Sequence, residues 1–191
     1  TSGVSGSLVF SSGTSSVGNS GEVLIGSGLA TSGRGGLVTV TVGSGVSGSG
    51  GALKLVSGDT SDLTGGLVRM MTGYSTGTSS GSLAIVSVNA GTSGVSGSLV
   101  FSSGTSSVGN SGEVLIGSGL ATSGRGGLVT VTVGSGVSGS GGALKLVSGD
   151  TSDLTGGLVR IMTGYSSASS SGSLTIVSVN AGTSGVSGSL V

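Results

Sequence analysis

The sequence predicts an all-β chain, a β-solenoid (parallel β-helix) with 15-residue coils and six coils in each 91-residue repeat. Three observations lead there. A 91-residue block occurs twice in tandem and begins a third time. Inside the block one glycine recurs every 15 residues, with a single step of 16. After each such glycine, apolar residues alternate with mixed ones, which is the period of a strand with one covered face.

The long period comes first. Thr-Ser-Gly-Val-Ser-Gly-Ser-Leu-Val opens at Thr1, returns at Thr92 and returns again at Thr183. Residues 1–91 and 92–182 differ at five positions: Met70/Ile161, Thr76/Ser167, Gly77/Ala168, Thr78/Ser169 and Ala84/Thr175. The expected organisation is a six-coil solenoid repeat over 1–91, a near-identical second over 92–182, and the start of a third over 183–191. Repeat arrays carry atypical polar caps. None is visible, so the chain reads as a window of a longer array.

The short period is marked by Gly6, Gly21, Gly36, Gly51, Gly66 and Gly81, then by Gly97, Gly112, Gly127, Gly142, Gly157, Gly172 and Gly188. Two positions on stand Leu8, Val23, Val38, Leu53, Val68 and Leu83. Four positions on stand Phe10, Ile25, Val40, Leu55, Met70 and Ile85. All are apolar, and these two columns, with their copies 91 residues on, are expected to point inward. The position between them is mixed: Val9, Leu24, Thr39, Lys54, Arg69 and Ala84. A second glycine column follows at Gly13, Gly28, Gly43, Gly58 and Gly73, and only the sixth unit departs, with Val88 there. Each unit thus reads as a strand of about 5–7 residues and a Gly/Ser/Thr-rich return of about eight. Stacking each strand on its counterpart one coil on gives about 4.8 Å per coil, about 29 Å per six coils and roughly 58 Å for the chain. The return has no fixed apolar column, since Val17, Leu29, Val46, Leu63 and Tyr74 fall at different offsets. It must pack through glycine and serine. The absence of proline leaves every backbone N–H free for a ladder.

Two other readings stay open. Glycine and serine number 45 each, a linker-like composition that without a period means disorder. Against it stands a mean hydropathy of +0.51, since disordered chains are poor in apolar residues. A silk-like antiparallel stack also alternates small residues, but on much shorter repeats.

Composition excludes several function classes. The chain has no His and no Cys, hence no imidazole base, thiolate, disulfide or ordinary zinc site. Six basic and six acidic residues cancel, so no electrostatic footprint for nucleic acid or an anionic membrane exists. No apolar run is long enough to span a bilayer. Asp59 and Asp62 invite a calcium or acid–base reading. Their Gly-Asp-Thr-Ser-Asp-Leu-Thr-Gly-Gly context lacks the calcium nonapeptide and suits a solvated turn. Lys54 and Arg69 share one column on successive coils, an anionic-ligand reading set against a soluble outer face. The Gly-rich stretches carry no nucleotide signature, and the serines have no base beside them. Ice binding needs a continuous rank of Thr or Ser in the outward columns, and there Thr39 and Thr41 form the one Thr-x-Thr pair of the repeat, with Leu24/Gly26 and Lys54/Val56 on the neighbouring coils. No catalytic, cofactor-binding or metal-binding residue is therefore assigned, and no cofactor is expected. Leu37, Leu67, Val9, Leu24, Val56, Met71 and Val86 form an outward apolar stripe that favours a partner rod. No Asn-x-Ser/Thr acceptor occurs, as Asn19 precedes Ser-Gly and Asn89 precedes Ala-Gly.

The opening Thr-Ser-Gly-Val-Ser-Gly-Ser-Leu-Val-Phe-Ser-Ser-Gly-Thr-Ser-Ser, with the later Gly-Gly-Leu-Val-Thr-Val-Thr-Val-Gly-Ser-Gly, resembles Gly/Ser-rich tandem-repeat proteins of diatoms and related algae. That resemblance spans the chain in composition and rhythm, and implies an extracellular cell-wall or appendage role. The expected function is a non-enzymatic structural one: a repeat segment of a long extracellular fibre or filament, of cell-wall, surface-appendage or flagellar-hair type. Its expected partners are further copies, end to end or side by side, with O-linked glycans on the returns. The alternative is a binding module, an adhesin stalk or an ice-binding solenoid.

Overall fold

The computed structural model describes residues 3–191. Thr1 and Ser2, which begin the opening nonapeptide, lie outside the described residues. The chain divides into two units, Thr1–Ser98 and Leu99–Val191, and each is built in the same way.

No helix and no strand occurs among the described residues. The expected all-β solenoid, with its parallel ladder, 15-residue coils and rise per coil, is therefore overturned. So is the inward orientation of the two apolar columns: among the described residues no side chain is buried. Phe10 is 78% exposed and Val38, the most sheltered of the first column, still 50%. The chain's accessible surface is 18858 Å². A chain of this mass folded around a core exposes roughly 7,900 Å², and a fully extended one about 25,000 Å².

The physical reason lies in the ratio of residue types. Each 15-residue unit offers two apolar side chains to an interior and surrounds them with glycine and serine. Glycine loses more backbone freedom on ordering than any other residue. The apolar side chains of the returns, Val17, Leu29, Val46, Leu63 and Tyr74, fall at different offsets and form no layer to close over the columns from the other side. Alternation alone specifies which residues would share a face, and a face needs a second layer to cover it.

What repeats instead is a closed loop. A bend occurs at 16–18, 31–33, 46–48, 61–63 and 76–78, and in the second repeat at 107–109, 122–124, 137–139, 152–154 and 167–169. Each bend lies midway between the two glycine columns. In three loops of each repeat those glycines meet. The Gly51 N–H donates to the Gly43 carbonyl at 3.1 Å, Gly66 to Gly58 at 2.9 Å and Gly81 to Gly73 at 2.9 Å. Their counterparts, Gly142 to Gly134, Gly157 to Gly149 and Gly172 to Gly164, bond at 3.1, 2.9 and 2.9 Å. In loop 28–36 the Ser27 hydroxyl donates to the Gly36 carbonyl at 2.8 Å. The return is thus a compact loop whose ends touch, joined to the next by an apolar run.

The sixth unit, with its extra residue, does something else. A tight turn at 92–93 is closed by Gly94 N–H on the Gly91 carbonyl, and Gly185 repeats this on Gly182, both at 3.4 Å. One added residue is enough to replace the wide bend with a four-residue turn.

Candidate functional site

The loop necks explain the recurring glycine. A methyl added to Gly51 would stand 2.5 Å from Val42 Cγ1, and one on Gly66 would stand 3.1 Å from the Gly58 nitrogen. The same crowding appears at Gly21, Gly36, Gly81 and their counterparts, whereas a methyl on Gly13, Gly28, Gly43, Gly58 or Gly73 would meet nothing within 4 Å. The two columns differ in kind: one is squeezed by the residue nine positions earlier, and the other only offers its carbonyl. The most sheltered residues of the chain are small ones around the loops, such as Ser12, Ala30, Ser57 and Ser75.

Hydroxyl groups hold the bends. Thr60 Oγ1 accepts from the N–H groups of Asp62 and Leu63, each at 3.3 Å. Ser75 Oγ accepts from the Thr78 N–H at 3.0 Å and lies 3.1 Å from Thr78 Oγ1. These are short side-chain-to-backbone turns of the kind Ser and Thr favour. They recur at Thr151 and Ser166. Asp59 and Asp62 sit on loop 58–66, with Asp62 engaged through its backbone in that turn. Among the described residues no three His, Cys, Asp or Glu side chains gather as a metal site. Lys54, Arg69, Thr39 and Thr41 are exposed.

The chemistry that remains is apolar surface. Leu37, Leu67, Val9, Leu24, Val56, Met71 and Val86 are all exposed, as are the twelve residues expected to be inside. A trace of the alternation survives as graded exposure: Val38 is 50% exposed beside Leu37 at 89%. An open depression of about 330 Å³ in the second unit is lined by Phe101, Val114, Leu115 and Ile116. Its walls are hydrocarbon, and no acid, base or nucleophile faces it. No helix among the described residues is long and apolar enough to cross a membrane.

No protein-family model, no curated protein and no solved structure matches the chain. Sequence reasoning found the glycine period and the apolar columns but missed the loop closure. The signal was present as the paired glycine columns eight residues apart, flanking a stretch rich in Ser and Thr.

Proposed function

We propose that the chain is a structural, non-enzymatic repeat segment of an extracellular fibre, and that it acts by associating with further copies of itself. The observation that carries this reading is the exposure of every apolar run on a scaffold that recurs every 91 residues. Soluble monomers rarely leave contiguous apolar patches larger than a few hundred Å² open to water. Here the same runs recur along both units, so one patch that binds a copy is followed by another that does the same. The hydroxyl-rich loops alternate with these runs and keep polar surface between them, where O-linked sugars could be carried. The absence of His and Cys, and the hydrocarbon walls of the one depression described, give no support to catalysis.

The test is sedimentation velocity across a wide concentration range, followed by negative-stain microscopy of the native material. Concentration-dependent growth into filaments is the expected result. A chain that stays monomeric at high concentration, and native material without fibres, would refute the reading.

A further inference from the structure

We infer that the copies associate antiparallel, about a two-fold axis, in the register, fixed by the six charges of each repeat, that sets each loop 43–51 against a loop of its own kind. This rests on the self-association proposed above and adds to it a partner orientation. The occupant of the apolar runs is a second copy of this chain, and charge complementarity selects how it lies.

In chain order the charges are Glu22, Arg34, Lys54, Asp59, Asp62 and Arg69, with signs minus, plus, plus, minus, minus, plus. All six are exposed, and their copies are placed likewise in the second repeat. Read backwards, the series has the opposite sign at every step. Such a pattern is complementary to itself when one copy is reversed, which is the requirement of an isologous two-fold contact.

The register follows from the runs. Setting Val46 of one chain against Ser47 of the other places run 36–42 opposite 51–57, run 21–27 opposite 66–72, and run 6–12 opposite 81–87. Arg34 then falls directly opposite Asp59, with Asp62 three residues away. Glu22 falls opposite Met71, two residues from Arg69. Lys54 faces Thr39, and the neutral loop 43–51 faces itself. Each pairing occurs twice, once on each side of the axis.

The competing arrangements do worse. A parallel pair in register sets all six charges against their own kind, which is destabilising. A parallel pair staggered by half a repeat brings Glu22 near Arg69 but leaves Arg34 and both aspartates alone, and one staggered by two units brings Glu22 near Lys54 and Arg34 near Asp62 but makes half as many opposite-charge pairings per repeat. Of the other five antiparallel registers that match runs with runs, three put Lys54 on Lys54, Lys54 on Arg69 or Arg69 on itself, one brings Glu22 within two residues of Lys54 but Asp59 within three of Glu22 and leaves Arg34 alone, and one brings no charges together. Electrostatic complementarity of this kind fixes register and rejects wrong partners more than it adds affinity.

Two full-length variants with unchanged composition and net charge test the register. The first exchanges Glu22 with Arg34, as Glu22→Arg and Arg34→Glu with Glu113→Arg and Arg125→Glu. It sets like charges together at both pairings. The second exchanges Arg34 with Asp59, as Arg34→Asp and Asp59→Arg with Arg125→Asp and Asp150→Arg, and keeps opposite charges facing. Sedimentation should show association weakened about tenfold in the first and within about twofold of the parent in the second. The absence of native cysteine allows a geometric readout. Chains carrying Ser32→Cys with Ser123→Cys, mixed with chains carrying Ser61→Cys with Ser152→Cys, should oxidise mainly to the mixed disulfide dimer, since these positions face each other whichever repeats are paired. If the parent associates but the first variant is unimpaired, or the disulfides form at random, the antiparallel register is wrong and self-association stands. If the parent does not associate at all, both fall.

Discussion

At Gly51 a single methyl decides whether a loop can close. The neck brings Val42 Cγ1 to 2.5 Å from where that methyl would stand, while the Gly51 N–H bonds to the Gly43 carbonyl. Gly51→Ala should open loop 43–51, because either Val42 or the backbone must give way. Gly43→Ala should leave it closed, as its added carbon has free space and its carbonyl is untouched. The neck bond is exposed and worth about 1 kcal/mol net, so its loss should lower the closed-to-open ratio about fivefold. The check is the temperature coefficient of the residue-51 amide by NMR: solvent-like in Gly51→Ala, protected in the parent and in Gly43→Ala. The natural difference between repeats follows the same logic. Gly77 has open space around it, and its counterpart is Ala168.

The loop is the element of this chain, and its hydroxyl groups hold its shape. Thr60→Ala removes the acceptor for two backbone N–H groups and should cost the bend about 0.5–1 kcal/mol, within the range of side-chain caps. Thr60→Ser should restore it, since only the oxygen matters. Amide exchange at Asp62 and Leu63 should rise several-fold in the first variant and return to the parent rate in the second. The repeats already contain a version of this experiment. Thr78 is Ser169 in the second copy, and the hydroxyl pair with Ser75 or Ser166 measures 3.1 Å in both. These features mark what was legible in the sequence. The position of the crowded glycine, the period and the odd sixth unit could be read from spacing alone. The loop could not, because a glycine eight residues before another serves equally as a strand end or as one side of a neck. The solenoid failed for a related reason. Leu8 with Phe10, or Val38 with Val40, share a face by alternation, but the large residues of the returns, such as Leu29, Leu63 and Tyr74, fall at different offsets and form no second layer over them. The candidate surface was legible in part: Leu37, Leu67 and Met71 were expected to be outside, and they are exposed along with the residues expected inside.

For the whole molecule, the decisive quantity is the 18858 Å² left in water. If association buries part of the apolar share, replacing Leu37, Leu67, Leu128 and Leu158 with serine should weaken it at least tenfold. The four substitutions remove well-exposed hydrocarbon without touching a loop neck or a charge. Sedimentation at matched concentration measures this. Temperature separates the driving forces. Burial of apolar surface is entropic near room temperature, carries a negative heat-capacity change and weakens on cooling. The charge pairs are few and exposed, so each contributes little and salt screens it. Association should therefore strengthen from about 4 to about 30 °C and strengthen again with added sulfate, which favours apolar burial. Moderate sodium chloride should weaken the parent only about two- to threefold, as its charge pairs are screened, while eroding the difference between the two charge-exchange variants. Calorimetric titration of the dissociation on dilution provides the heat-capacity sign directly. An association that weakens on warming, with no heat-capacity change, would mean that backbone hydrogen bonding between chains, and not the exposed leucines and valines, holds the copies together.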